Sequence, residues 1–183
     1  MQRRNFCRFL VTGLCAAGSN DLVAHTPYAQ WTIYRRKHLL IGCHKDDDET
    51  YSLAKSIVVT LNQHLPDARA RVARAPTAQR LASLLGTRQL DVALLSPDNA
   101  RQMNAGEGPF IPYGEIDLGV VQLLQGYLLI CRNDFPARHA WLLAQALQDS
   151  SDARPVERES SSQLPYHQGA VQFHAGLPLP DKP

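Results

Sequence analysis

From His38 onward the chain alternates short apolar runs with stretches whose apolar residues recur at helical spacing, and that alternation restricts it to an α/β fold. Leu39-Leu40-Ile41-Gly42-Cys43 reads as a strand, followed by the polar turn His44-Lys45-Asp46-Asp47-Asp48. Tyr51, Leu53, Ala54, Ile57, Val58, Leu61 and Leu65 then line one face of a helix whose acidic start, Asp48 and Glu49, suits the helix dipole. Pro66-Asp67 ends it, and Ala70 to Ala75 alternates as a second strand. Thr77 is an N-cap for a helix carrying Leu81, Leu84 and Leu85 and ending at Gly86, and Asp91 to Leu95 is a third strand. Apolar strands alternating with helices predict a parallel sheet covered on both faces, with right-handed connections.

Further along, Ala105 to Asp117 is rich in Gly and Pro and reads as a surface loop. Leu118 to Leu124 and Tyr127 to Cys131 are two more strands, separated by a Gln125-Gly126 turn. Asp134 is expected to cap the next helix, with Pro136 near its first turn and Trp141, Leu142, Ala144, Ala146 and Leu147 on its apolar face. Ser150 to Ser162 is polar and serine-rich, a linker. Pro165 to Pro183 offers one short helix around Gly169 to His174. The expected organisation is an α/β domain at residues 38–149, a linker at 150–163 and a C-terminal segment at 164–183 that packs on the domain. The fold class is α/β, a single lobe with a parallel or mixed sheet of about five strands flanked by helices.

Ahead of this domain, Arg3 and Arg4 precede Phe6 and an apolar run from Phe9 to about Gly18. A basic start, a short apolar stretch and small residues after it make a secretory signal, and the arginine pair makes it the twin-arginine type. The run falls short of the roughly 20 apolar residues that span a bilayer. Cleavage after Ala24 fits Leu22-Val23-Ala24, whereas Leu14 spoils a lipoprotein box at Thr12-Gly13-Leu14-Cys15. Residues 1–24 are therefore read as a signal, and the mature protein as periplasmic and soluble.

The 183-residue chain carries a formal net charge of +2, part of it in the signal, which leaves no electrostatic footprint for nucleic acid. Cys7 and Cys15 lie in the signal, so Cys43 and Cys131 remain, either as one disulfide in an oxidising compartment or as two buried thiols. Nucleophile elbow, phosphate-cradling glycine loop and dinucleotide fingerprint are all missing, and no enzyme constellation stands out. The acidic run from Asp46 to Glu49 lacks the glycine and ligand spacing of a calcium loop, and His167 and His174 lack the further ligands zinc needs. Neither a metal nor another cofactor is expected.

In open parallel sheets, ligands sit outside the carboxyl ends of the strands, near helix N-termini whose free N–H groups favour anions. That rule selects the loops after the first three strands. His44 and Lys45 can meet a carboxylate or phosphate, and Thr77, Ser96 and Asn99 can hydrogen-bond it without adding charge. Asp98 is read as a helix cap.

The ordered set Leu39-Leu40-Ile41-Gly42, Thr77-Ala78-Gln79-Arg80-Leu81, Gly86-Thr87-Arg88-Gln89-Leu90-Asp91-Val92-Ala93-Leu94-Leu95 and Gly126 to Pro136 resembles solute receptors of the TAXI class, which serve TRAP transporters. The ending Leu164-Pro165-Tyr166-His167-Gln168-Gly169-Ala170 resembles that family's Pro-x-His-x-Gly-Ala motif, with Gln168 where a Pro is usual. The resemblance implies a periplasmic-binding-protein-like fold and a small anionic solute, such as an organic acid or amino acid, held between two α/β lobes. It implies a membrane transporter as partner, and it places Thr77 at the opening of the helix after the second strand and Ser96 in the loop after the third. Fewer than twenty residues separate Asn99 from Leu118, where the second lobe would be inserted, so only the first lobe is expected. The other reading is a non-enzymatic accessory module that docks on another exported, cofactor-containing protein.

Overall fold

The computed structural model describes Tyr34 and residues 37–45, 47–148 and 164–181. The signal expected at residues 1–24 and the linker expected at 150–163 lie outside the described residues. Strands β1 (Leu40–His44), β2 (Arg71–Ala75), β3 (Val92–Leu95), β4 (Leu118–Leu124) and β5 (Tyr127–Arg132) form one mixed sheet in the order β2-β1-β3-β5-β4. The first three run parallel, and β5 is antiparallel to both β3 and β4. The α/β class and the five-stranded sheet are those expected. No helix among the described residues is long and apolar enough to cross a membrane.

Helix α1 (Asp48–His64) carries the chain from β1 to β2, α2 (Ala78–Gly86) from β2 back past β1 to β3, and α3 (Pro97–Ala105) leaves β3. The direction of travel reverses at β2, so right-handed crossovers put α1 and α2 on opposite faces. The apolar alternation of the strands matches. Ile41, Cys43, Val92, Leu94, Leu129 and Cys131 join α1 in one core, which also receives α4 (Ala137–Leu147). Leu81, Leu85, Ala93, Leu95, Met103 and Ile130 form the other with α2 and α3. Fully buried leucines such as Leu61, Leu81 and Leu85 contribute about 1.5–3 kcal/mol each.

Chain reversal between β4 and β5 uses Gln125 (φ 46°) and Gly126 (φ 88°), the two positive φ values of a tight hairpin turn. A bulge between Val120 and Gln122 shifts the phase of β4 so that Leu123 and Leu124 still serve opposite cores. The segment before β4 departs from expectation in part. Gly108–Tyr113 forms a 3₁₀ turn; the segment is largely at the surface, as expected, but it is an ordered element whose Phe110, with Ile116 nearby, is buried in the α2 and α3 core. Asp134 does not cap α4 either. Pro136 occupies that position, and Asp134 is drawn away by Arg132 and by Arg88 at 3.1 Å.

The C-terminal segment docks where its sequence motif lies. The Val120 N–H donates to Pro165 (2.9 Å) and the His167 N–H to Val120 (2.8 Å), pairing the segment with the outer edge of β4. His167 then caps α5 (Gln168–His174), its Nδ1 accepting from the Gly169 N–H at 3.2 Å. Burial lowers the His167 pKa, so the imidazole is neutral and carries its proton on Nε2. A Cβ on Gly169 would lie 2.8 Å from the Ala137 carbonyl carbon and 2.9 Å from the Trp141 nitrogen, closer than real Cβ contacts. Gly169→Ala is expected to lift α5 from α4 and cost about 1–3 kcal/mol. A lower melting temperature, with faster hydrogen exchange at the Val120 and His167 amides, is the measurement.

Candidate functional site

Because β1, β2 and β3 are parallel, their carboxyl ends share one edge of the sheet, and the loops expected to bind a ligand do meet there. His44 ends β1 opposite Ala75 of β2, and the Lys45 N–H donates to the Ala75 carbonyl at 2.8 Å. His44 is half-buried and Lys45 exposed. Thr77 caps α2, its Oγ1 accepting from the Arg80 N–H at 3.2 Å. Ser96 caps α3 by accepting from the Asn99 N–H at 3.4 Å, and Asn99 lies in that helix's first turn. Asp98 follows in the same turn without being the cap, because Ser96 holds that position. Strands lie about 4.8 Å apart, so Thr77 and Ser96 stand on either side of the β1 end, about 10 Å from one another at backbone level. Each hydroxyl accepts one backbone bond and retains its own proton to donate.

Helix α1 is different. Asp47 caps it by accepting from the Thr50 N–H at 3.0 Å, with Asp48 and Glu49 in the first turn, so its positive end is already neutralised. Thr50 is buried there and donates to the Asp47 carbonyl at 2.9 Å. Tyr127 reaches this helix start from β5. Its hydroxyl lies 3.0 Å from Glu49 and 3.4 Å from Asp47, spanning the end of β3 on the α1 side of the sheet. The open part of the edge is therefore the other side, where α2 and α3 begin. On the α1 side, the Arg74 guanidinium and the Lys55 ammonium stack on the Tyr51 ring at 4.1 and 4.7 Å.

Sequence reasoning overlooks Tyr127, since its place at this edge follows only from β5 running antiparallel beside β3. Burial and the Glu49 and Asp47 carboxylates push its phenol up to about 12. A raised folded-state pKa stabilises below the unfolded value near 10 and loses that contribution as pH rises from about 10 toward 12. The expected outcome is a fall in melting temperature across that window that is shallower in Tyr127→Phe, followed by circular dichroism. The raised Tyr166 phenol and the buried Cys43 and Cys131 thiols contribute to the fall as well.

The disulfide alternative is corrected. Cys43 and Cys131 are free and buried, and β3 runs between their strands. Cys131 stands opposite Val92, which stands opposite Ile41, so the cysteines are two strands and two residues apart. That amounts to about 11 Å between Cα atoms, beyond the roughly 7 Å limit for a bridge. Burial raises both thiols, Cys43 to about 11 and Cys131 further. Both are expected to resist alkylation in the folded protein and to react fully once it is denatured without reductant, as peptide mass mapping will show.

Two open cavities lie at the opposite, amino edge of the sheet. One, of about 550 Å³, opens between the start of β1, the end of α1 and α4. The other, of about 350 Å³, lies between the end of α2, the approach to β4 and the end of β5. Three or more His, Cys, Asp or Glu side chains placed to hold a metal ion are found nowhere among the described residues. Comparison with protein-family models and with curated proteins finds no match for the chain.

Proposed function

We propose that this is an exported, periplasmic, non-enzymatic solute-binding protein of the TAXI-receptor type, reduced to one lobe, that holds a small anionic solute at the carboxyl edge of its sheet. The observation that supports this best is the start of α2 and α3 on one face of the sheet, on either side of the β1 end. Two helix N-termini, the Thr77 and Ser96 hydroxyls and the Asn99 amide offer donors to a carboxylate, Lys45 supplies the charge, and His44 borders the gap. On the far side, Tyr127 keeps the α1 carboxylates engaged. The motif from Pro165 to Ala170 adds to the family resemblance, although here its residues serve docking of the C-terminal segment.

A second reading, an accessory module docking on another exported protein, is favoured by the open form of that edge. Only 18 residues separate Asn99 from Leu118, and they pack against the lobe through Phe110 and Ile116, so among the described residues they form no second lobe over the gap. An uncovered site desolvates its ligand incompletely, so affinity alone is modest and rises when a transporter subunit or other partner supplies the missing wall.

Calorimetry with succinate, glutamate and phosphate decides between the two. The expected result is binding that Thr77→Ala with Ser96→Ala weakens by at least about tenfold, since each hydrogen bond to a charged group is worth about 1.5–3 kcal/mol. Removing two caps costs about 1 kcal/mol each, so the variant is compared at a temperature where it remains folded. Absence of binding by the folded wild type assigns the edge to docking.

A further inference from the structure

We propose that the cavity of about 550 Å³ at the amino edge of the sheet is a second binding site, for a small organic ammonium with an aromatic or aliphatic body. The inference does not rest on the carboxyl-edge reading, because the two sites share no residue and lie at opposite ends of the strands.

Part of the wall is apolar. Leu39, Leu65, Phe135, Leu142 and Leu143 line the cavity near the start of β1, the end of α1 and α4. A volume of this size is enough for a one-ring molecule. Phe135 adds an aromatic face for a cation.

The polar groups determine the charge of the ligand. Asp67 and Asp91 are carboxylates at the lining, and Lys37 is the one permanently charged cation there. His38, His64 and His139 complete the polar set. The His38 Nδ1 is shielded from solvent and has no hydrogen-bond partner, which points to a group supplied from within the cavity. Asp91 makes no ion pair within 4 Å among the described residues, because the nearby Arg132 guanidinium is engaged by Asp134. Asp91 is exposed, so its carboxylate is open to a cation, with Asp134 adding negative charge and Arg132 and His139 opposing it. Two carboxylates against one lysine at the lining, with an apolar wall beside them, favour an N–H-donating cation over an anion, while Arg69 and Arg71 near His38 and Arg132 near Asp91 moderate the preference. This is the reverse of the donor-rich carboxyl edge.

Phenethylammonium, phenylacetate and 2-phenylethanol test the charge preference, since they share a ring and differ in the end group. Titration of the full protein is expected to give phenethylammonium an affinity at least ten times that of the other two. The preference is expected to vanish in Asp91→Asn and to persist in Thr77→Ala with Ser96→Ala. In amide NMR spectra, phenethylammonium is expected to shift Leu39, Leu65, Asp91 and His139 while leaving Lys45 and Ser96 in place. That measurement needs no variant and decides the matter if Asp91→Asn fails to fold. No binding by any of the three, equal binding by all, preference for phenylacetate, a preference intact in folded Asp91→Asn, or shifts confined to the carboxyl edge would each overturn the proposal.

Discussion

Burial of the sheet on both faces is the constraint from which the rest of the structure follows. A parallel ladder of β2, β1 and β3 cannot turn one side to water, because its crossovers must lie on the faces. Reversal of direction at β2 then sends α1 and α2 to opposite sides. The interior strand β3 is consequently apolar and buried at all four positions, whereas the edge strand β2 carries Arg71 and Arg74 toward solvent. The same reversal opens the carboxyl edge, since the helices on either side of the β1 end depart from it in different directions. Fold and candidate site thus share one cause.

Electrostatics divide that edge into two unlike halves. The α1 side is occupied by its own carboxylates and by Tyr127, which crosses from a strand remote in sequence. On the α2 side, side-chain caps of neutral Thr and Ser leave the helix dipoles unneutralised. A ligand approaching from solvent meets different fields a few ångströms apart, so its orientation is prescribed before any contact forms.

The first half of the domain was legible in the sequence because its information is local. The spacing from Tyr51 to Leu65, the cap at Thr77 and the apolar run from Val92 to Leu95 each report their own element, and the structure has α1, α2 and β3 at these places. What could not be read depends on pairings distant in sequence. Nothing near Tyr127 says that β5 lies between β3 and β4, and so nothing places its hydroxyl at the start of α1. Phe110 is surrounded by Gly and Pro, which signal a loop, and its burial follows from the core it closes rather than from its neighbours. Asp134 has the composition of a cap, yet Arg88 and Arg132 outbid the helix for its carboxylate. The candidate ligand residues were found by a topological rule, and the amino-edge cavity lay outside that rule's reach.

The C-terminal segment straddles the outer edge of β4, with Leu164 and Tyr166 in the core of α2 and α3 and Ala170 and Phe173 in the core of α1 and α4. Trp141 and Arg138 of α4 hold its far end through the carbonyls of Leu177 (3.1 Å) and Pro180 (2.7 Å). In energetic terms it is a peptide ligand tethered to its own receptor. Covalent connection keeps such a ligand at an effective concentration on the order of millimolar, so a seat too weak to retain a free peptide stays filled. A single peptide-bond cleavage between Gln148 and Leu164 would turn that intramolecular closure into ordinary two-body association. The completeness of the lobe would then depend on protein concentration, where in the intact chain it does not.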